Sequence, residues 1–136
     1  MPITYKRDDL RRRITVTLEG RFDVDHVVAT VDRHAAEGTW HYTRLYDVRG
    51  ALEAPTTAQI RALLGHVRER TRTHGPRGPV AVVTDHLAVY GMVRMYMSLG
   101  ENDGTVEVFR DLAEADSWLL ARATAADGPA DDSDPK

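Results

Sequence analysis

Three carboxylates in this sequence could do acid–base chemistry, because each falls near the predicted end of a strand. They are Asp47, Glu53 and Asp85. In open α/β sheets, ligands often bind at the edge where the strands end. Asp85 is also expected to cap a helix, and Asp47 could organise the loop that follows it. Since no spacing among the three requires catalysis, we expect a protein that is not an enzyme.

Other catalytic and metal-binding patterns are missing from the sequence. The chain has no cysteine, and none of its three serines lies in a Gly-x-Ser-x-Gly motif, the turn that presents the nucleophile of α/β-hydrolases. Its six histidines include no His-x-x-x-His pair, the spacing that places two ligands on one helix face. The glycine-rich segment 75–78 precedes a strand and is expected to form a turn, so it cannot hold phosphate at a helix N-terminus. We expect no metal and no cofactor.

The composition is typical of one globular domain. The 136 residues carry a net charge of −3, which argues against a dedicated nucleic-acid-binding protein because such proteins are usually strongly basic. The amino terminus has no apolar signal segment, and no stretch of the sequence is long enough to span a bilayer. The expected location is therefore the cytoplasm.

Hydrophobic periodicity predicts nine elements in the order ββαβαβαβα. Residues 3–7 and 13–19 form an expected hairpin, and the continuous apolar run 80–83 is typical of a central strand. Strands that alternate with helices predict an α/β fold with a mixed, mainly parallel five-stranded sheet and four helices. The domain is expected to cover residues 1–121. Residues 122–136 are small and acidic without any large apolar side chain, which predicts a disordered tail.

The predicted third helix, between Asp85 and Leu99, is more apolar than one packed stripe requires. Its unusual residues and its main charge are Tyr90, Met92, Arg94, Met95 and Tyr96. Methionine adapts to irregular and changing contacts. A neighbouring helix of the same domain, a second subunit or an apolar ligand could each cover the excess.

The predicted second helix has an apolar stripe on one side and a basic face on the other. The arginines of that face are Arg61, Arg68, Arg70 and Arg72. A solvated face is the expected interpretation in a domain of net negative charge. The alternative is a docking surface for an acidic partner or for the head group of an anionic lipid.

Four segments of the sequence carry a family resemblance. They are Leu45-Tyr-Asp-Val-Arg-Gly50, Ala81-Val-Val, Tyr90-Gly-Met-Val-Arg-Met95 and Val108-Phe-Arg-Asp-Leu-Ala-Glu-Ala-Asp-Ser-Trp-Leu119. In this order of elements they resemble STAS domains, the group named for sulfate transporters and anti-sigma factor antagonists, and above all its bacterial STAS/SEC14-like branch. The resemblance covers about residues 2–121. It implies a STAS-like fold, a bacterial source and a role in binding.

In the antagonist members of that family, an Asp-Ser pair opens the helix after the third strand, and phosphorylation of the serine controls binding to an anti-sigma partner. Here Pro55 and Thr56 fall at about those positions, followed by Thr57. Because proline replaces the aspartate, we expect Thr56 to cap the helix rather than to act as a phosphorylation switch.

The leading hypothesis is a non-enzymatic STAS-like interaction module that binds a protein partner or a second copy of itself. The alternative is a carrier or sensor of a small apolar ligand or lipid. The expected binding residues lie in the loop after the third strand, at the start of the second helix and on the third helix: Asp47, Arg49, Thr56, Thr57, Tyr90, Met92, Arg94, Met95 and Tyr96.

Overall fold

A computed structural model describes residues 3–100 and 105–133 of the chain, with side chains described as far as residue 123. These residues contain nine helices and strands. In chain order they are β1 (Ile3–Asp8), β2 (Arg13–Gly20), α1 (Val24–Ala36), β3 (Thr43–Ala51), α2 (Thr57–His74), β4 (Val80–Val83), α3 (Leu87–Leu99), β5 (Val106–Phe109) and α4 (Leu112–Ser133). The predicted order ββαβαβαβα is confirmed.

The five strands form one sheet in the order β1-β2-β3-β4-β5. β1 is antiparallel to β2 and the other neighbours are parallel, so the predicted mixed, mainly parallel sheet is confirmed. β2 to β5 all end at one edge of the sheet, which we call the carboxyl edge. Arg13 pairs with Thr43 at the start of β3, so the hairpin turn at residues 9–12 lies at the opposite, amino edge.

Helices cover the two faces of the sheet unequally. Val27 of α1 and Val89 of α3 pack with Tyr46 of β3, and α2 packs between α1 and α3 on the same side. We call this side the three-helix face. The opposite side is covered by α4 alone, where Leu119 packs on Val83 of β4, and we call it the α4 face.

Side-chain caps begin the helices. At the start of α1, Asp23 accepts a hydrogen bond from the backbone N–H of Asp25, as its residue type predicts. The prediction for α3 was wrong, because His86 rather than Asp85 is its N-cap. Nδ1 of His86 accepts from the N–H of Ala88 at 3.2 Å, since a neutral imidazole nitrogen can accept as a carboxylate oxygen does. Asp85 is left exposed at the carboxyl edge.

α4 continues beyond the predicted end of the domain. Its backbone is helical to Ser133, whereas the sequence pattern ends the domain at residue 121. Segment 121–126 is rich in alanine, the residue of highest helix propensity. A search for hydrophobic periodicity does not detect a helix that forms through propensity alone. The domain boundary at residue 121 and the disordered tail over residues 122–136 stay predictions. Residues 134–136 lie outside the described part of the chain.

Candidate binding site

A bulge shapes the end of β3. Thr17 pairs with Asp47 and Glu19 pairs with Gly50, so β3 has one residue more than β2 over this stretch. A Cβ atom at Gly50 would lie 2.9 Å from Cγ of Glu19, so any larger residue would displace that side chain. Bulges redirect neighbouring side chains and often lie next to binding sites. This bulge changes the course of the backbone between Asp47 and Arg49.

Asp47 and Arg49 form an ion pair at the carboxyl edge. Nε and Nη2 of Arg49 donate to Oδ1 and Oδ2 of Asp47 at 2.9 and 2.8 Å, which is a bidentate geometry. The hydrogen bonds from Arg49 hold the pKa of Asp47 below its usual value. The two predicted site residues are therefore in direct contact, and the carboxylate is ionised at neutral pH.

Thr56 is the N-cap of α2, as predicted. Its hydroxyl accepts from the N–H of Gln59 at 3.1 Å, and the side chain of Gln59 accepts from the N–H of Thr56 at 2.7 Å. This reciprocal pair is a capping box, which satisfies two backbone donors at the helix start. Thr57 is the first residue of α2 and is exposed.

Large apolar side chains are exposed at the carboxyl edge. Leu52 follows β3 and is 72% exposed, Leu87 follows β4 and is 71% exposed, and Leu112 follows β5 and is 39% exposed. Since β3, β4 and β5 are neighbours, the three leucines follow adjacent strands. The other exposed large apolar side chains of the described residues are Leu10, in the hairpin turn at the amino edge, and Leu120 on α4.

α3 is covered mainly within the monomer. Tyr96 is buried, and Met92 packs partly buried in a cluster with residues of α2. Tyr90 and Met95 are half-buried, and Arg94 is exposed. The predicted residues of this helix therefore do not form one apolar surface, and Tyr96 is not accessible to a partner.

A cavity lies between the three-helix face of the sheet and the helices that cover it. Its volume is about 110 Å³, and apolar residues such as Val27, Leu63, Val82 and Val93 make up almost all of its lining. The polar side chains of the lining are Tyr46, Glu53, Arg77 and Tyr96. Glu53 follows β3 and Arg77 precedes β4, so these two charges come from opposite edges of the sheet.

Two arginines near the amino edge of the three-helix face form no ion pair with any side chain in the described ranges. Arg44 is fully buried, and its Nη2 donates to the carbonyl oxygens of Thr39 and Trp40. Within the described part of the chain, Nε and Nη1 of Arg44 have no hydrogen-bond partner, and neither has the buried Nε of Arg77. Nη2 of Arg77 donates to the hydroxyl of Tyr96 at 3.1 Å. Burial, and after it the charge of Arg77, lowers the pKa of Arg44 to about 9, so Arg44 is still cationic at neutral pH.

Close backbone contact positions the loop that carries Arg77. A Cβ atom at Gly78 would lie 2.2 Å from the carbonyl oxygen of Tyr42, so only glycine fits. The N–H of Gly78 donates to the carbonyl of Trp40 at 3.1 Å, and Nε1 of Trp40 donates to the carbonyl of Gly75 at 2.8 Å. The loop therefore packs on the same Trp40 that binds Arg44.

His34 of α1 is fully buried between two tyrosines. The hydroxyl of Tyr5 lies 3.3 Å from Nδ1 and the hydroxyl of Tyr46 lies 3.3 Å from Nε2. A neutral imidazole has one donor and one acceptor nitrogen, so each hydroxyl finds a partner. Burial, followed by the charges of Arg44 and Arg77, lowers the pKa of His34 to about 2. His34 is therefore neutral at neutral pH.

The residues predicted from the sequence do not come together in one site. Those of the β3 loop and the α2 start lie at the carboxyl edge, while Tyr96 lines the cavity on the inner side of α3. The sequence interpretation missed Arg44, His34 and Arg77. Arg44 lies in a strand that also carries Asp47 and Arg49, so its charge alone gives no sign that it is buried. Nothing in the sequence places His34 or Arg77 next to it.

The strand order, with three helices on one face and one on the other, defines a STAS-like fold. A solved structure agrees: the crystal structure of an anti-sigma factor antagonist from Mycobacterium paratuberculosis is similar to this chain with a TM-score of 0.55. The sequence identity is 16%, and the match covers 88% of this chain and 95% of that chain. Similarity at this identity shows the fold alone, and the predicted STAS-like fold is confirmed.

The other comparisons found no relative. No protein-family model matches the sequence, and no curated protein matches it. Among the described helices, none combines the length and the apolar character needed to cross a membrane. The described side chains of histidine, aspartate and glutamate include no group of three that could hold a metal ion.

Proposed function

We propose that this chain is a non-enzymatic STAS-like interaction module that binds a protein partner at its carboxyl edge. The observation that carries the proposal is the exposure of Leu52 and Leu87 after neighbouring strands. Protein interfaces typically have an apolar centre and a polar rim. The Asp47–Arg49 pair and Thr57, at the same edge, supply the polar neighbours of such a centre.

The state of the carboxylates supports binding rather than catalysis. Arg49 holds Asp47 in a bidentate pair and lowers its pKa, which makes this carboxylate a weak general base. Glu53 lies 3.6 Å from Nε of Arg21. The cavity beside Glu53 is almost wholly apolar, whereas acid–base catalysis needs polar groups that converge on a substrate.

The partner that we propose is another protein, a second copy of this chain included. The similar structure is named as an anti-sigma factor antagonist, and that name describes action on a protein. A bacterial and cytoplasmic setting belongs to the same proposal. Thr56 contributes through its cap, which fixes the start of α2, while exposed Arg94 and half-buried Tyr90 extend the surface along α3.

Photo-crosslinking of the whole chain in its own cells tests this proposal. Benzoylphenylalanine replaces Leu52 or Leu87 at the carboxyl edge, and Leu10 at the amino edge is the control because it is 99% exposed. We expect one discrete crosslinked species from positions 52 and 87 and none from position 10. A species of twice the chain mass identifies a second copy, and any other discrete mass identifies another protein. Equal labelling from position 10, or no species from either edge position, would contradict the proposal.

A charge at the same edge provides a second measurement. With the crosslinker at position 87, Leu52→Asp should lower the yield of the crosslinked species by about tenfold or more, because apolar residues at the centre of an interface dominate its binding energy. The matched variant Leu10→Asp should leave the yield unchanged. Both leucines are exposed, so neither substitution should unfold the domain.

A further inference from the structure

The cavity of the three-helix face is suited to an apolar body of about one ring. A cavity of roughly 150 Å³ lined by Leu, Ile and Phe stays dry and can bind benzene. The present cavity has about 110 Å³ and a lining dominated by valines and other apolar residues. Water needs two to four polar partners to be retained in such a space, and here most of the wall offers none.

Positive charge lies at the amino-edge end of the same cavity. Arg77 lines it, and Arg44 lies on the same face of the sheet, two residues before the lining residue Tyr46. Three of their guanidinium nitrogens are buried without a hydrogen-bond partner among the residues that the structure describes. A buried cation without a counter-charge is costly, because burial removes hydration that a few hydrogen bonds replace only in part. An anion bound in the cavity at Arg77 would offset part of that cost.

We propose that this cavity binds a small apolar carboxylate, whose carboxylate group is bound by Arg77 and whose ring or branched alkyl body fills the space beneath α1, α2 and α3. The proposal goes beyond partner binding and does not depend on it. It narrows the alternative of an apolar ligand or lipid to one chemical class.

Shape and charge favour this class over a phosphate or a membrane lipid. Arginine donates charge-assisted hydrogen bonds to a carboxylate. The buried Nε of Arg77 has no hydrogen-bond partner among the described residues, while its Nη2 donates to Tyr96. Free phosphate has no apolar body to fill the valine-lined space. A long acyl chain needs far more room than a cavity that compares with the space around one benzene molecule. At the other end, Glu53 repels a carboxylate, so the ligand has one favoured orientation.

Titration of the purified full chain with benzoate tests the proposal. Toluene is the matched neutral probe, and inorganic phosphate is the anion without an apolar body. We expect calorimetry to give a dissociation constant on the order of 0.1 mM for benzoate, as for a ligand of its size. Toluene should bind about tenfold more weakly or worse, because it lacks the charge-assisted hydrogen bonds. Methyl resonances of Val82 and Val93, which line the cavity, should shift with benzoate and not with phosphate.

Four variants, one of them a control, separate a specific site from general binding. Arg77→Met should weaken benzoate binding about tenfold or more, and Arg77→Lys should restore part of it. Arg61→Met is the control, because this arginine is exposed on α2. Val93→Phe should abolish the binding of both benzoate and toluene, since its ring occupies the cavity.

Several results would overturn the proposal. These are unchanged cavity resonances with benzoate, equal affinity in the Arg77→Met protein, or equal shifts with phosphate. Partner binding can fail separately, because Leu87→Asp should keep its affinity for benzoate while Arg77→Met should keep its crosslinking at the carboxyl edge.

Discussion

The two faces of the sheet each bury an arginine, and they balance its charge differently. Arg13 on the α4 face is 7% exposed and forms an ion pair with Asp116 of α4. Arg44 on the three-helix face is fully buried, donates to carbonyl oxygens and lies against the ring of Trp40. The fold therefore supplies a counter-charge where one helix closes the sheet. On the three-helix face, beside the cavity, no described side chain supplies a counter-charge to Arg44.

Apolar packing differs between the faces in the same way. On the α4 face Ala81, Val83, Ala115 and Leu119 are all fully buried and contact one another. On the three-helix face the side chains around Val82 and Val93 leave about 110 Å³ unfilled. Dense packing specifies a single structure, and unfilled space forfeits contact energy. The α4 face thus contributes stability, while the three-helix face leaves room for a ligand.

The largest expected effect comes from truncation on the α4 face. Leu119→Ala should lower the free energy of unfolding by about 2–5 kcal/mol, because it opens a new void in a filled region. Val93→Ala removes fewer atoms, from a half-buried side chain that borders the cavity, and should cost less than about 1.5 kcal/mol. Urea unfolding of both variants measures the difference. Similar losses in the two variants would mean that the faces are packed alike.

The buried histidine of the three-helix face gives the next effect, which depends on pH. The pKa of His34 is about 2 in the folded protein and about 6.5 in the unfolded chain. Below pH 6.5 the unfolded chain therefore binds a proton that the folded protein does not, so stability falls as pH falls. The loss should reach about 2 kcal/mol at pH 5 relative to pH 7.

The contribution of His34 can be isolated by substitution. His34→Gln keeps a donor and an acceptor for Tyr5 and Tyr46, and it should flatten the dependence of unfolding free energy between pH 7 and pH 5. His41→Gln is the matched control at an exposed position and should retain the slope. The carboxylate pKa values that ion pairs lower, such as that of Asp47, act at lower pH. An unchanged slope in His34→Gln would show that His34 takes up its proton in the folded state.

Local patterns predicted the fold because they are encoded in neighbouring residues. Periodicity located the strands and helices, and the residue type at Thr56 predicted its cap. Arg44 and Arg77 come together only through strand pairing and the close contact at Gly78, neither of which has a signature in sequence spacing. The cavity likewise depends on how three helices pack. A completely filled core would show the same apolar stripes in its sequence.

The smallest expected effect compares two adjacent residues of β4 that face opposite sides of the sheet. Val82 lines the cavity, and Val83 is fully buried against α4. Val82→Ile adds a methylene to unfilled space and should stabilise the protein by about 0.5–1 kcal/mol. Val83→Ile adds the same group to a filled region and should destabilise it by about 1 kcal/mol or more. Thermal unfolding measures whether each substitution raises or lowers the stability, and the chemical change is the same in both. Val82→Ile should also weaken benzoate binding. If both substitutions destabilise, the space on the three-helix face cannot accept even one methylene, and it would then be too tight for a ring.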